Sequence, residues 1–145
     1  MKSLRNKSVL VVDDDARMLR ALDKVLTGEG HEVTCATWAG EAIDILVEQK
    51  KKTDLVITDL RMPLVTGITA VYAIHKVLPH LPIVVLTAFG SPEVKAECLR
   101  QGATDFLEKP LDAAHLLEVV ERIFAAPGHE PVPGRRTSAD RAGKF

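Results

Sequence analysis

The stretch "DLVITDLRMP", residues 54–63, decides the fold of this chain of 145 residues. Its apolar run carries the β-branched residues typical of a buried strand. The run ends in a carboxylate, Asp59, and a Met-Pro pair begins three residues later. Such an acid is either a turn residue or a reactive oxygen held at the end of a parallel sheet. The rest of the sequence is needed to choose between these interpretations.

Strand-like and helix-like segments alternate along the whole chain. Apolar residues at helical spacing follow each strand-like run, and Asp15 and Asp112 are predicted helix N-caps. The pattern predicts an α/β fold, a doubly wound five-stranded parallel sheet with five helices on both faces. The fourth run is the most apolar, which favours a place at the centre of the sheet. The predicted strands are 8–12, 31–37, 54–59, 82–88 and 105–110.

The composition changes at residue 127. Residues 1–126 contain every predicted element and are expected to form one domain. The segment "PGHEPVPGRRTSADRAGKF", residues 127–145, is rich in Pro, Gly and charge. It is predicted to be a disordered tail or linker stump. It is interpreted either as the start of a connection to an output domain missing from this chain or as the natural end of a stand-alone domain.

Charge and hydropathy exclude several classes of protein. Lys and Arg total 19 against 20 for Asp and Glu, which gives no indication of a nucleic-acid partner. Two cysteines without a CxxC motif indicate reduced thiols. No apolar stretch is long enough for a membrane span, and the N-terminal apolar run ends in acids, unlike a signal peptide. A cytoplasmic protein without direct nucleic-acid or membrane contact is expected.

Polar side chains stand at the ends of four of the predicted strands. Asp13 and Asp14 come directly after the first strand, and Asp59 ends the third. Thr87 and Lys109 stand at the ends of the fourth and fifth. Because ligands bind beyond the carboxyl ends of parallel strands, these groups meet if strands one and three are neighbours. Crowded carboxylates favour Mg²⁺, and a carboxylate can attack a phosphoryl group while an amine and a hydroxyl offset its charge.

At this point the sequence resembles the receiver domains of bacterial two-component response regulators. The resemblance covers residues 8 to about 125 and implies a flavodoxin-like fold with strand order 2-1-3-4-5. The stretches that carry it are "VLVVDDD" (9–15), "DLVITDLRMP" with Gly67 after it, "IVVLTA" (83–88) and "GATDFLEKP" (102–110).

The resemblance implies how the acid cluster works. Asp59 would be the phosphoacceptor and would take its phosphoryl group from the phosphohistidine of a histidine kinase or phosphotransfer protein. The domain would catalyse only its own phosphorylation and dephosphorylation, so it would not be a turnover enzyme. The groups implied to hold Mg²⁺ are the carboxylates of Asp13, Asp14 and Asp59 and the backbone carbonyl of Arg61.

The resemblance also implies a switch. Thr87, Ala88 and Lys109 would contact the phosphoryl group. Thr87 would move toward that group, and Phe106 would then turn inward. Pro110 would have a structural role, following a cis peptide bond.

The switch would change the face made by the fourth helix, fifth strand and fifth helix. Val94, Leu99 and Val119 are either candidates for contacts there, with a partner or with a second copy in a homodimer, or ordinary core and scattered surface apolar residues. The output would be an output domain or partner, including control of transcription. The motifs around Asp59 and Thr87 are similar to those of receivers that precede ATPase-type transcription activators.

A phosphatase of the haloacid dehalogenase class is the alternative interpretation. It would use Asp13 as nucleophile in an Asp-x-Asp motif, with Lys109 in a later motif. Arg17 stands where that class has Thr or Val, no late strand ends in paired acids, and Asp59 would have no role. An adaptor with an inactive site is a third interpretation, and failure to bind Mg²⁺ would support it.

Overall fold

Five parallel strands form the centre of the molecule. The computed structural model describes residues 6–60 and 67–126. The strand order is β2-β1-β3-β4-β5, and every neighbouring pair is parallel. This confirms the predicted α/β fold and strand order. The strands are β1 Ser8–Val12, β2 Glu32–Ala36, β3 Leu55–Thr58, β4 Ile83–Thr87 and β5 Asp105–Glu108.

Helices cover both faces of the sheet in the described residues. Helices α1 and α5 share one hydrophobic cluster with the sheet, while α2, α3 and α4 share the other. The second helix continues into a π-helical turn at Asp44–Glu48, which the helical spacing of its apolar residues did not reveal. The helices are α1 Ala16–Gly28, α2 Ala39–Ile43, α3 Gly67–Val77, α4 Pro92–Arg100 and α5 Ala113–Ala125.

Side-chain caps fix where three of the helices begin. Asp15 accepts a hydrogen bond from the backbone N–H of Arg17 at 2.9 Å, and Asp112 accepts one from His115 at 3.1 Å. Both caps were predicted from the sequence. Ser91 caps α4 in the same way. The chain therefore turns sharply from strand to helix at the carboxyl edge of the sheet.

The alternation of side chains along the strands divides the core into its two clusters. In β1, Val9 and Val11 join the α1–α5 cluster, whereas Leu10 and Val12 join the α2–α4 cluster. Every residue of β3 and β4 is buried, as expected of parallel strands covered on both faces. Each fully buried Leu, Ile or Val stabilises the fold by about 1.5–3 kcal/mol. The carboxyl ends of these strands thus project from a rigid support.

Two expectations from the sequence are wrong. The central strand is β3, whereas β4 lies between β3 and β5. Both strands are buried on both faces, so their apolar content does not show which of them is central in the sheet. Val119 is buried in the α1–α5 cluster and is not a surface contact. Leu99, in contrast, is 41% exposed on α4.

Parts of the sequence predictions lie outside the described residues. The proposed tail, residues 127–145, is one of them, and Arg61 with its backbone carbonyl is the other. The last described helix ends at Ala125, next to the predicted boundary of the domain at residue 126. Among the described residues, no helix has both the length and the apolar content needed to cross a membrane.

Candidate functional site

The pairing of β1 with β3 brings two buried acids together. Val12 lies opposite Thr58 in the register of the two strands. Asp13 and Asp59 each follow by one residue, and the backbone N–H of Asp59 donates to the carbonyl oxygen of Val12 at 3.0 Å. The two carboxylates therefore lie side by side at the carboxyl ends of the two strands. Asp13 is only 2% exposed and Asp59 only 5%.

The side chain of Lys109 bridges these two acids. Its backbone N–H donates to the carbonyl oxygen of Thr87 at 2.8 Å, which fixes the chain beyond β5 against β4. Its Nζ donates to Asp13 Oδ2 at 2.8 Å and to Asp59 Oδ2 at 3.0 Å. The ammonium group thus joins the ends of three strands at one point.

Electrostatics at this point favour an added cation. Burial raises the pKa of the Asp13 carboxyl, although hydrogen bonds from Lys109 and from the backbone of Asp15 oppose the shift. Burial would lower the pKa of Lys109, but hydrogen bonds to Asp13 and Asp59 outweigh it and the pKa is raised. Burial thus favours protonation of Asp13, while the two neighbouring carboxylates retain the proton on Lys109.

A third acid completes a set of oxygen donors. Asp13, Asp14 and Asp59 each offer a carboxylate oxygen, and these oxygens lie within 4.8 Å of one another. Asp14 is exposed, so the set opens to solvent on one side. A hard cation that keeps several waters and recruits phosphate oxygens, as Mg²⁺ does, fits such a donor set. The predicted fourth protein ligand, Arg61, lies outside the described residues.

Thr87 and Ala88 lie at the end of β4, on the side of Lys109. Thr87 stands two residues beyond Val85, which pairs with Thr58 of β3. Its side chain is completely buried, and its Oγ1 accepts a hydrogen bond from the backbone N–H of Phe89 at 3.2 Å. Ala88 follows and is exposed. The hydroxyl predicted to contact a phosphoryl group is therefore held at the same edge of the sheet as the acids.

The predicted switch residue Phe106 lies inside the protein. It is 6% exposed and belongs to the α2–α4 cluster. It lies on β5 opposite Val85. The Lys109–Pro110 peptide bond at the end of the same strand is cis. The structure thus gives the position of each described residue that the sequence analysis selected, while their roles in phosphoryl transfer stay predictions.

Two residues of the site were missed in the sequence. The buried hydroxyl of Thr58 donates to the backbone carbonyl of Asp59 at 3.0 Å, yet in the sequence Thr58 was only one more β-branched strand residue. Gly90 lies against the ring of Phe106, and in "FGSP" it had the pattern of an ordinary turn glycine. The sequence contains no local signal for either contact.

Comparisons with known proteins agree with the geometry. The model of the response regulator receiver domain matches residues 9–121. The chemotaxis protein CheY of Thermotoga maritima is 36% identical over 118 residues, which are 81% of this chain and 97% of CheY. The transcriptional regulatory protein ZraR of Salmonella typhimurium is 40% identical over 118 residues, 81% of this chain but only 26% of ZraR. The chain thus spans about a quarter of the length of ZraR.

A solved structure leads to the same family. The CheX–CheY–BeF3–Mg²⁺ complex of Borrelia burgdorferi contains a chain that superimposes with a TM-score of 0.80 at 29% identity. The match covers 84% of this chain and 92% of that one. The interpretation as a haloacid dehalogenase phosphatase finds no support in these matches. The chain belongs to the receiver domain family of two-component response regulators.

Proposed function

We propose that this receiver domain is a phosphoacceptor switch in which Asp59 takes a phosphoryl group in a Mg²⁺-dependent reaction. The donor is the phosphohistidine of a sensor histidine kinase or phosphotransfer protein. Receiver domains are signalling switches and use Mg²⁺ at a pocket of aspartates. The observation that carries the proposal is the Lys109 ammonium held between Asp13 and Asp59 beside the exposed Asp14.

The reaction exchanges one bond to phosphorus for another. A carboxylate oxygen of Asp59 attacks the phosphorus atom, and the bond to the histidine nitrogen breaks with its electron pair left on the imidazole. Asp59 is oriented through both oxygens, since Oδ1 accepts from the backbone N–H of Leu60 at 2.6 Å and Oδ2 accepts from Lys109. Phosphoryl transfer depends mainly on such positioning and on neutralised charge.

The charges of the site suit that requirement. Lys109 stays protonated because its pKa is raised, so it can pair with a phosphoryl oxygen once Asp59 is modified. Asp13, Asp14 and Asp59 would hold Mg²⁺, which would supply the remaining positive charge. The buried hydroxyl of Thr87 is available to donate a hydrogen bond to the phosphoryl group when it turns from its contact with Phe89.

Phe106 would pass the change at the phosphorylated site to the surface that contacts an output domain or partner. Thr87 pairs with Glu108 in the β4–β5 register, and Phe106 lies two residues earlier on β5. Movement of Thr87 toward the phosphoryl group alters the packing behind it and shifts Phe106 between two states. The face formed by α4, β5 and α5 then controls an output domain, a partner or a homodimer. The likeness to ZraR, a transcriptional regulatory protein, favours an output in transcription.

The test is chemical modification followed by mass mapping. The protein is incubated with acetyl phosphate and Mg²⁺, and the expected product carries one phosphoryl group on Asp59. Asp59→Asn should abolish the adduct, as should removal of Mg²⁺ with EDTA. Asp23→Asn, which changes an exposed acid of α1, is the matched control and should react as the wild type does. An adduct on Asp13 would refute the proposal and favour the phosphatase mechanism.

A further inference from the structure

Gly90 lies in direct contact with the ring of Phe106. A Cβ at position 90 would lie 2.9 Å from Cε1 and 3.0 Å from Cζ of that ring. It would also lie 2.5 Å from Oε2 of Glu108. Carbon atoms in ordinary contact are about 3.5–4.0 Å apart. The ring and a side chain at position 90 therefore compete for the same space.

The need for glycine at this position is steric and does not come from the backbone. The left-handed glycines of the described chain are Gly30 and Gly102, so the backbone of Gly90 suits any residue. The carboxylate of Glu108 is the end of a flexible, exposed side chain and can move away. The contact with Phe106 is therefore the costly one.

The ring cannot retreat deeper into the protein. It belongs to the cluster that contains Val85 and Cys98, both fully buried, and Ala103, which is 9% exposed. A close-packed interior does not absorb an atom-sized displacement without strain. The ring can therefore make room for a side chain at position 90 only by moving outward, toward solvent.

We propose that Gly90 is a positioning residue that leaves room for the inward state of Phe106 and so sets how strongly that state responds to the phosphoryl group. The second half of this inference rests on the proposed function. Inward packing of Phe106 and occupation of Asp59 favour one another by linkage. A side chain at position 90 that excludes the inward ring must therefore weaken binding of a phosphoryl group or its mimic.

The first test measures the ring itself. The protein is labelled with fluorophenylalanine, and the Phe106 signal among the four phenylalanines is assigned by its loss in Phe106→Leu. Gly90→Ala should move this signal toward the solvent-exposed position and lower Tm by roughly 5 °C. Gly28→Ala is the matched control, because a Cβ there has no neighbour within 4 Å, and it should leave the signal unchanged.

A double variant distinguishes loss of stability caused by the contact with the ring from loss of stability that any side chain at position 90 would cause. In Phe106→Leu the ring is absent, so adding Gly90→Ala should leave Tm close to that of Phe106→Leu alone. If Gly90→Ala is poorly folded on its own, the double variant should recover. The proposal is overturned if the double variant loses as much as the single one, or if the Phe106 signal of Gly90→Ala stays at its wild-type position.

The second test measures the link to Asp59. Beryllofluoride with Mg²⁺ serves as the phosphoryl mimic, and Gly90→Ala should bind it about fivefold or more weakly than the wild type and Gly28→Ala do. Equal affinity overturns the link between position 90 and the switch. If wild-type Asp59 takes neither beryllofluoride nor phosphoryl groups, the proposed function fails, while a displaced Phe106 signal still establishes the role of Gly90 in placing the ring.

Discussion

Lys109 Nζ lies 3.0 Å from Asp59 Oδ2, although 50 positions separate the two residues in the chain. The same nitrogen donates to Asp13 Oδ2 at 2.8 Å. The side chain of Lys109 is 15% exposed and those of both acids less, so the group is largely removed from water. One ammonium group thus serves two buried carboxylates, with Asp14 adding further negative charge nearby. The cluster carries excess negative charge, and this excess determines how the site responds to substitution.

Replacing Lys109 with Gln should destabilise the folded domain. The change leaves Asp13 and Asp59 buried without their ammonium partner, and we expect the free energy of unfolding to fall by about 2 kcal/mol without divalent cations. Added Mg²⁺ should restore much of the loss by binding the folded state. Urea unfolding with and without Mg²⁺ measures both effects. Lys95→Gln on the exposed side of α4 is the control, and equal stability of the two variants would contradict the prediction.

Replacing Asp13 with Asn should stabilise the domain at neutral pH. Burial raises the pKa of Asp13 above its ordinary 3.8, so the folded state disfavours the ionised form. The cost is absent below the ordinary pKa, where the group is protonated in both states, and it develops as the pH rises through the raised value. We expect a gain of about 1 kcal/mol at pH 7 that vanishes as the pH approaches 4. Unfolding curves at several pH values measure it, and a gain that is the same at all pH values would rule out this cause.

Replacing Asp14 with Asn should weaken Mg²⁺ binding and leave the stability of the fold nearly unchanged. Asp14 is exposed, so its loss leaves the core intact, and we expect the free energy of unfolding to change by less than about 0.5 kcal/mol. Loss of one carboxylate ligand should weaken Mg²⁺ binding about tenfold or more. Calorimetric titration with Mg²⁺ gives the affinity, and Asp15→Glu, which keeps an acid at the adjoining cap, is the control. Unchanged affinity in Asp14→Asn would place the metal elsewhere.

The strands and the positions of the acids could be predicted from the sequence because a parallel sheet covered on both faces leaves a clear pattern of apolar and polar residues. Strands buried on both faces are continuous apolar runs, and the polar residue that ends each run marks the carboxyl edge of the sheet. The sequence alone therefore predicts that Asp13, Asp59 and Lys109 lie at this edge. Their distances were not predictable, because these depend on the register of β1 with β3 and of β4 with β5.

Other features depend on packing that has no local pattern in the sequence. The π-helical turn at Asp44–Glu48 has apolar residues at spacings that also fit an α-helix. Val119 and Val120 of α5 are adjacent in the sequence and both buried. The helical spacing of apolar residues in α5 therefore does not show which residues at the border of its apolar face are exposed to solvent. The contact of Gly90 with Phe106 joins a loop before α4 to the strand that follows it. Each of these is set by how a helix lies on the sheet.

Replacing Thr87 with Ala should separate phosphorylation from the switch. Thr87 is fully buried, and its hydroxyl accepts a hydrogen bond from the backbone N–H of Phe89, at the edge of the sheet that also carries Lys109 and Asp59. Asp59 should still accept a phosphoryl group in Thr87→Ala, because its own bonds to Leu60 and Lys109 remain. The fluorine signal of Phe106 should no longer respond to beryllofluoride, since no hydroxyl moves toward the mimic. Thr87→Ser keeps the hydroxyl and should retain the response, whereas a response in Thr87→Ala equal to that of the wild type would show that Phe106 is coupled to Asp59 by another route.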